Sequence, residues 1–205
     1  MSPKVSCNTP TDVTRARTFF PGHKAVTMRE SKGFTLVELL IVVTIIGIIA
    51  AIAVPGLLRA RMSGNEASSI ASLRAINSAQ VTFASSCGRT GYAVKLEDLA
   101  KVPAGGGQGF ISADLNVNDV VKSGYKVKLE ANAGGTPAGG WAIGDVTTSC
   151  NATAPWSSYY GSAIPVSFNS TGTRSFATDA SGTIFYAAAA AAPANPLTAL
   201  MTPIQ

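Results

Sequence analysis

FTLVELLIVVTIIGIIAAIAVPGLL, residues 34–58, holds one ionisable side chain, Glu38, and runs for 20 residues from Leu39 to Leu58 without a charge. At 1.5 Å per residue, a helix of that length spans about 30 Å, the hydrocarbon thickness of a bilayer. An ionised glutamate near the start of such a segment costs about 3 kcal/mol on insertion scales unless it meets a partner, so Glu38 needs a reason to be there. Gly47 and the Pro55-Gly56 pair interrupt the pattern. Pro55 lacks a backbone donor and crowds the preceding turn, so a kink or local opening is expected at Gly47 and Pro55.

On the N-terminal side the flank is basic. Residues 1–33 carry six basic groups against two acidic ones, whereas residues 34–205 carry ten against nine, so most of the net charge of +5 belongs to the leader. Arg15, Arg17, Lys24, Arg29 and Lys32 precede the apolar run, while Arg59, Arg61 and Arg74 follow it, which favours a cytoplasmic N-terminus. The nearly neutral remainder offers no footprint for a polyanion, and no direct nucleic-acid site is expected. Met28 opens the compact charged stretch MRESKG, and residues 1–27, which contain no apolar run, are expected to be dispensable.

On the C-terminal side, residues 59–86 continue as an amphipathic helix, with Met62, Ile70, Leu73, Ile76 and Phe83 on one stripe. The helix is expected to end near Cys87-Gly88, where glycine tolerates a left-handed cap. Residues 88–122 read as a connecting region with one short helical candidate, Lys95 to Lys101, followed by the glycine run at 105–109. Strand signals come later, at Tyr125 to Leu129, at Trp141 to Val146, and at Arg174 to Thr178 and Thr183 to Tyr186, which flank a turn at 179–182 as a hairpin. The expected fold is α+β, one long helix packed on a small antiparallel sheet. Ala187 to Gln205 shows no helix or strand pattern. With 205 residues and 46% apolar side chains, the chain has room for one globular domain and an appendage.

Cys7 lies in the leader, which leaves Cys87 and Cys150 as an even pair and points to one disulfide formed outside the cytoplasm; two separate buried thiols are the competing reading. The sole histidine, His23, is also in the leader, so the body cannot build a Ser-His-Asp triad, a Cys-His pair or a histidine zinc site. The glycine run lacks the Gly-Lys-Ser/Thr ending and the preceding strand that phosphate binding needs. Asp179 with Ser181 reads as turn chemistry. Asn151-Ala152-Thr153 and Asn169-Ser170-Thr171 match a glycosylation triplet short enough to occur by chance, and neither is counted as a site. No enzyme activity, cofactor or metal is expected.

Lys32-Gly33-Phe34-Thr35-Leu36-Val37-Glu38 followed by the apolar run resembles the processing site of type IV prepilins and the related type II secretion pseudopilins, and the likeness extends through Leu58-Arg59-Ala60-Arg61-Met62. Thr171 to Asp179 is similar to the last hairpin of some bacterial pilins. The resemblance implies that a membrane prepilin peptidase cuts after Gly33 and methylates the new amine of Phe34. Residues 1–33 would then be a removed leader, 34–58 the transmembrane and polymerisation half of the helix, and 59–205 a periplasmic or extracellular domain. The Phe34 amine lies one helical turn from Glu38 and can reach the carboxylate of an axially shifted neighbour, so subunit assembly is expected to use Phe34 and Glu38. Expected partners are copies of the chain, the peptidase, the inner-membrane assembly machinery and the membrane; the expected location is the inner membrane and then an extracellular filament.

The expected function is a structural pilus subunit serving adhesion, motility or DNA uptake. A secretion pseudopilin shares the N-terminus, but its family's C-terminal calcium loop, with several acidic residues, has no counterpart here. A membrane-anchored enzyme or binding module leaves Glu38 unexplained. A conventional cleaved signal with Ala51-Ile52-Ala53 as its small-residue site does not fit an apolar core this long.

Overall fold

The computed structural model describes residues 33–133, 142–197 and 201–204. One helix, α1, covers Leu36–Ser86. It starts where the Thr35 hydroxyl accepts the Glu38 amide proton at 3.2 Å, an N-terminal cap that satisfies one of the orphan donors of the first turn. The helix runs without a break in its span through Gly47 and Pro55; Pro55 removes one backbone bond, and the helix continues on either side. It ends at Ser86, where the Phe83 carbonyl accepts both the Cys87 and Gly88 amides. The left-handed residues beyond it are Arg89 and Thr90, not Gly88. Glycine is required at 88 for a different reason: a Cβ there would come within 2.4 Å of the Gly91 carbonyl and 2.6 Å of the Phe83 ring.

The chain splits into two compact units, residues 1–44 and 45–205. In the second, a short helix α2 (Leu96–Ala100) and a 3-10 turn (Ala113–Leu115) lead into an antiparallel sheet. Its described strands are β1 (Val120–Lys122), β2 (Tyr125–Ala131), β3 (Tyr159–Pro165), β4 (Ser175–Asp179), β5 (Ile184–Ala187) and β6 (Thr202–Pro203), in sequential order. The β2 alternation is clean: Tyr125, Val127 and Leu129 are buried, while Lys126 is exposed. These meet Leu73, Ile76 and Phe83 of α1, Leu96 and Leu99 of α2, and Phe176 of β4 in one core. Asn118 ties α2 to β2, accepting from the amides of Leu96 and Leu129 and donating to the Leu129 carbonyl.

Several expectations are corrected here. The segment at 142–146 is not a strand: Ala142 makes an isolated bridge to Trp156, and the chain then turns around Asp145, which accepts from Thr147 and Thr148; Trp141 lies outside the described residues. The region 88–122 does contribute to the sheet, through β1. β3 lies between β2 and β4, pairing Tyr125↔Pro165 through Ala131↔Tyr159 on one side and Ala163↔Phe176 on the other. The tail also takes part. Ala189 accepts from Ser175, Pro193 from the Tyr160 hydroxyl, and Asn195 bonds with Ala131 and Ala133, before β6 pairs with β5. Residues 188–195 thus strap the face of the sheet opposite α1, which is why Tyr160, Ser162, Ser175 and Ala177, all turned away from the helix, are buried.

Candidate functional site

Gly33 to Leu58 is an exposed apolar surface. Phe34 is 86% exposed, and every residue from 33 to 61 is open to solvent. By length and composition α1 is able to cross a membrane. A contiguous apolar patch on this scale requires a lipid or protein cover. Glu38 lies in the first turn of α1, where a carboxylate complements the helix dipole, and its oxygens accept no hydrogen bond among the described residues. Thr44 returns its hydroxyl proton to the Leu40 carbonyl at 2.7 Å and so carries no unmet polar demand.

The glycines in this segment have no internal purpose. A Cβ at Gly33, Gly47 or Gly56 would touch nothing within 4 Å, so no packing in the described structure asks for glycine at those positions. Each glycine inside the helix costs about 1 kcal/mol relative to alanine. The described residues therefore place no requirement for smallness at these positions.

The domain grips α1 through polar side chains that the periodicity reading passed over. Glu66, 5% exposed, accepts from the Thr173 amide (2.8 Å), the Thr173 hydroxyl (2.9 Å) and the Arg174 guanidinium (2.9 and 2.6 Å). Burial pushes the Glu66 carboxyl up, but the Thr173 amide, Arg174 and the Thr173 hydroxyl together outweigh it and hold it below the ordinary glutamate value of 4.5. Tyr125, whose hydroxyl donates to the Arg174 carbonyl at 2.7 Å, is pushed up to about 12 by burial and then by the charge of Glu66. Farther along, Asn77 bonds with Tyr159, Thr178 and the Gly182 carbonyl, and Gln80 pairs with both backbone groups of Ala93. A carboxylate and two amides among residues of an apolar stripe were the signal for these contacts; the Thr35-x-x-Glu38 spacing was the signal for the cap.

Cys87 and Cys150 form a disulfide with a Cα separation of 4.9 Å, across which the Cys150 amide also donates to the Cys87 carbonyl. It fastens the end of α1 to the loop before β3. Asp179 accepts from the Ser181 amide within its turn.

Residues 28–54 match the family model described as the prokaryotic N-terminal methylation motif. The type IV wide pilus major component PilA4 of Thermus thermophilus is 59% identical over 39 residues, and the type IV major pilin protein PilA of Myxococcus xanthus is 43% identical over 53. Over these stretches the chain is similar to type IV pilins. The two alignments cover 19% and 26% of the chain, and 30% and 24% of those relatives' own lengths. No solved structure matches. The family motif contains Gly33, Phe34, Glu38 and Gly47; Pro55, both disulfide cysteines and the whole sheet lie outside it.

Proposed function

We propose that this chain is a structural subunit of a type IV pilus, cut after Gly33, N-methylated on Phe34, and polymerised through α1 with no chemistry of its own. The observation that carries this reading is the exposed Glu38, unpaired among the described residues, at the start of an apolar helix segment that those residues leave uncovered, inside the methylation motif. Cleavage after Gly33 creates a cation on Phe34. In an apolar filament core neither that cation nor the Glu38 carboxylate tolerates isolation, so pairing between neighbours rewards docking and fixes their axial offset. The open space around Gly33 agrees with a glycine kept for a peptidase's narrow cleft.

On this reading residues 1–33 are the leader, 34–58 anchor the precursor in the inner membrane and later line the filament, and 59–205 face outward, where the Cys87–Cys150 bond is stable. Gly47 and Pro55 supply the yielding points that let the helix bend during packing. The prepilin peptidase and the inner-membrane assembly machinery are the partners before assembly, and copies of the chain are the partners after it; adhesion, motility or DNA uptake would belong to the filament. The secretion pseudopilins share this N-terminus, whereas the relatives named above are pilus components.

Mass spectrometry of filaments sheared from cells tests the proposal. The expected product is this chain as a filament component beginning with N-methylated Phe34. Filaments that lack the chain, or a mature chain beginning elsewhere, would overturn it.

A further inference from the structure

The polar grip on α1 is placed where a pull on the helix would enter the domain. Residues 45–61 are exposed throughout, and the first fully buried residue of α1 is Glu66. At that step Asn65 donates to the Thr171 carbonyl (2.9 Å), and Glu66 takes its four bonds from Thr173 and Arg174. The receiving loop between β3 and β4 is itself held in place. The Arg174 guanidinium stacks 5.6 Å from the Phe176 ring centre and 5.4 Å from that of Tyr186, and Tyr125 holds the Arg174 carbonyl. A Cβ at Gly172 would lie 1.9 Å from the Tyr125 oxygen, so the loop sits against that phenol with no slack.

One turn farther on, the hold changes. Ser68 makes one exposed hydroxyl bond to Ser123, while the buried Ser69 and Ser72 bond back to the Glu66 and Ser68 carbonyls of the same helix; apolar contact begins at the partly buried Ile70 and is complete at Leu73. The two regions respond differently to sliding. A shift of one residue, about 1.5 Å, stretches a 2.9 Å hydrogen bond beyond its working range, and at Asn65 and Glu66 the hold rests on such bonds; farther on, apolar contact, which is lost only in proportion to area, backs the Asn77 and Gln80 bonds, and the Cys87–Cys150 bond fastens the end. Arg174 is already half in water, so both charges can be hydrated once they part.

We infer that Asn65 and Glu66 with Thr171, Thr173 and Arg174 form a latch that sets the register of α1 on the domain and opens, reversibly, before the Leu73–Phe83 core yields. The latch has a function only if α1 transmits axial load, so its use rests on the filament reading, although its opening does not.

Hydrogen exchange on the full chain in detergent, wild type against Glu66→Gln, tests the opening without requiring filaments. The expected result is exchange at least tenfold faster over residues 62–72 and at Thr173, with residues 76–86 unchanged. Unchanged exchange at 62–72, or equal acceleration through 76–86, would overturn the latch. Asn65→Ala, which removes one bond, is read by the same criteria if Glu66→Gln does not accumulate. Stretching single filaments then tests the use: filaments of the variant should form in normal number and extend at lower force, and wild-type force-extension curves would overturn the load-bearing role. Absence of this chain from wild-type filaments would instead remove the filament reading and leave the exchange result standing.

Discussion

Glu66 is a carboxylate on the buried face of α1, held by four donors from the loop between β3 and β4. Because its folded pKa lies below the ordinary value of 4.5, its contribution to stability is complete above that value and is lost as the pH falls through the lower folded value. Urea unfolding of the full chain in detergent should therefore show stability falling below about pH 4.5. Glu66→Gln should lower stability by about 1.5–3 kcal/mol at neutral pH, the range for bonds to a charged group, and should flatten the acid limb. A variant with the wild-type acid limb would mean that other carboxylates set the pH dependence. Glu38 has the same chemistry with none of these partners. What separates the two is the surroundings: one is enclosed by its own domain, while the other stands on a surface that the described chain leaves bare.

Elements whose two faces differ were legible in the sequence. The lower half of α1 and the alternating β2 each bury one face, and their periodicity shows it; the β4–β5 hairpin was legible from its turn at 179–182, although β4 is buried on both faces. β3 was missed for the opposite reason. With α1 on one side and the 188–195 strap on the other, all but one of its residues are buried, so no alternation exists to be read. The strap could not be read because, apart from the Asn195 side chain, it is held through backbone carbonyls of alanine and proline, which leave no trace in side-chain pattern. Tyr160→Phe removes the phenol bond to Pro193 and should lower stability by about 1 kcal/mol in denaturant titration; no change would mean that packing alone holds the strap. The Cys87–Cys150 bond spans 63 residues, and reduction should cost about 4 kcal/mol in the chain-entropy model, measured as the unfolding midpoint with and without reductant. An unchanged midpoint would show that contacts between α1 and the loop suffice.

At the scale of the whole molecule, the N-terminal motif was legible and the domain's hold on α1 was not. Gly33, Phe34 and Glu38 stand out because a small residue, an apolar start and a lone carboxylate in a long apolar run conflict with an ordinary membrane anchor. Asn65, Glu66 and Arg174 stayed hidden because their partners are more than 100 residues apart in the chain. The central claim is that Glu38 serves a neighbouring subunit and not its own fold. Replacing it removes a charge from the apolar segment, which should ease insertion by about 2–3 kcal/mol and leave the precursor abundant. The most direct measurement is to express Glu38→Ala as the sole copy and compare processed subunit in the membrane with filaments sheared from the cell surface. The account predicts normal processed subunit with filaments absent or sparse; filaments as abundant as those of the wild type would contradict it.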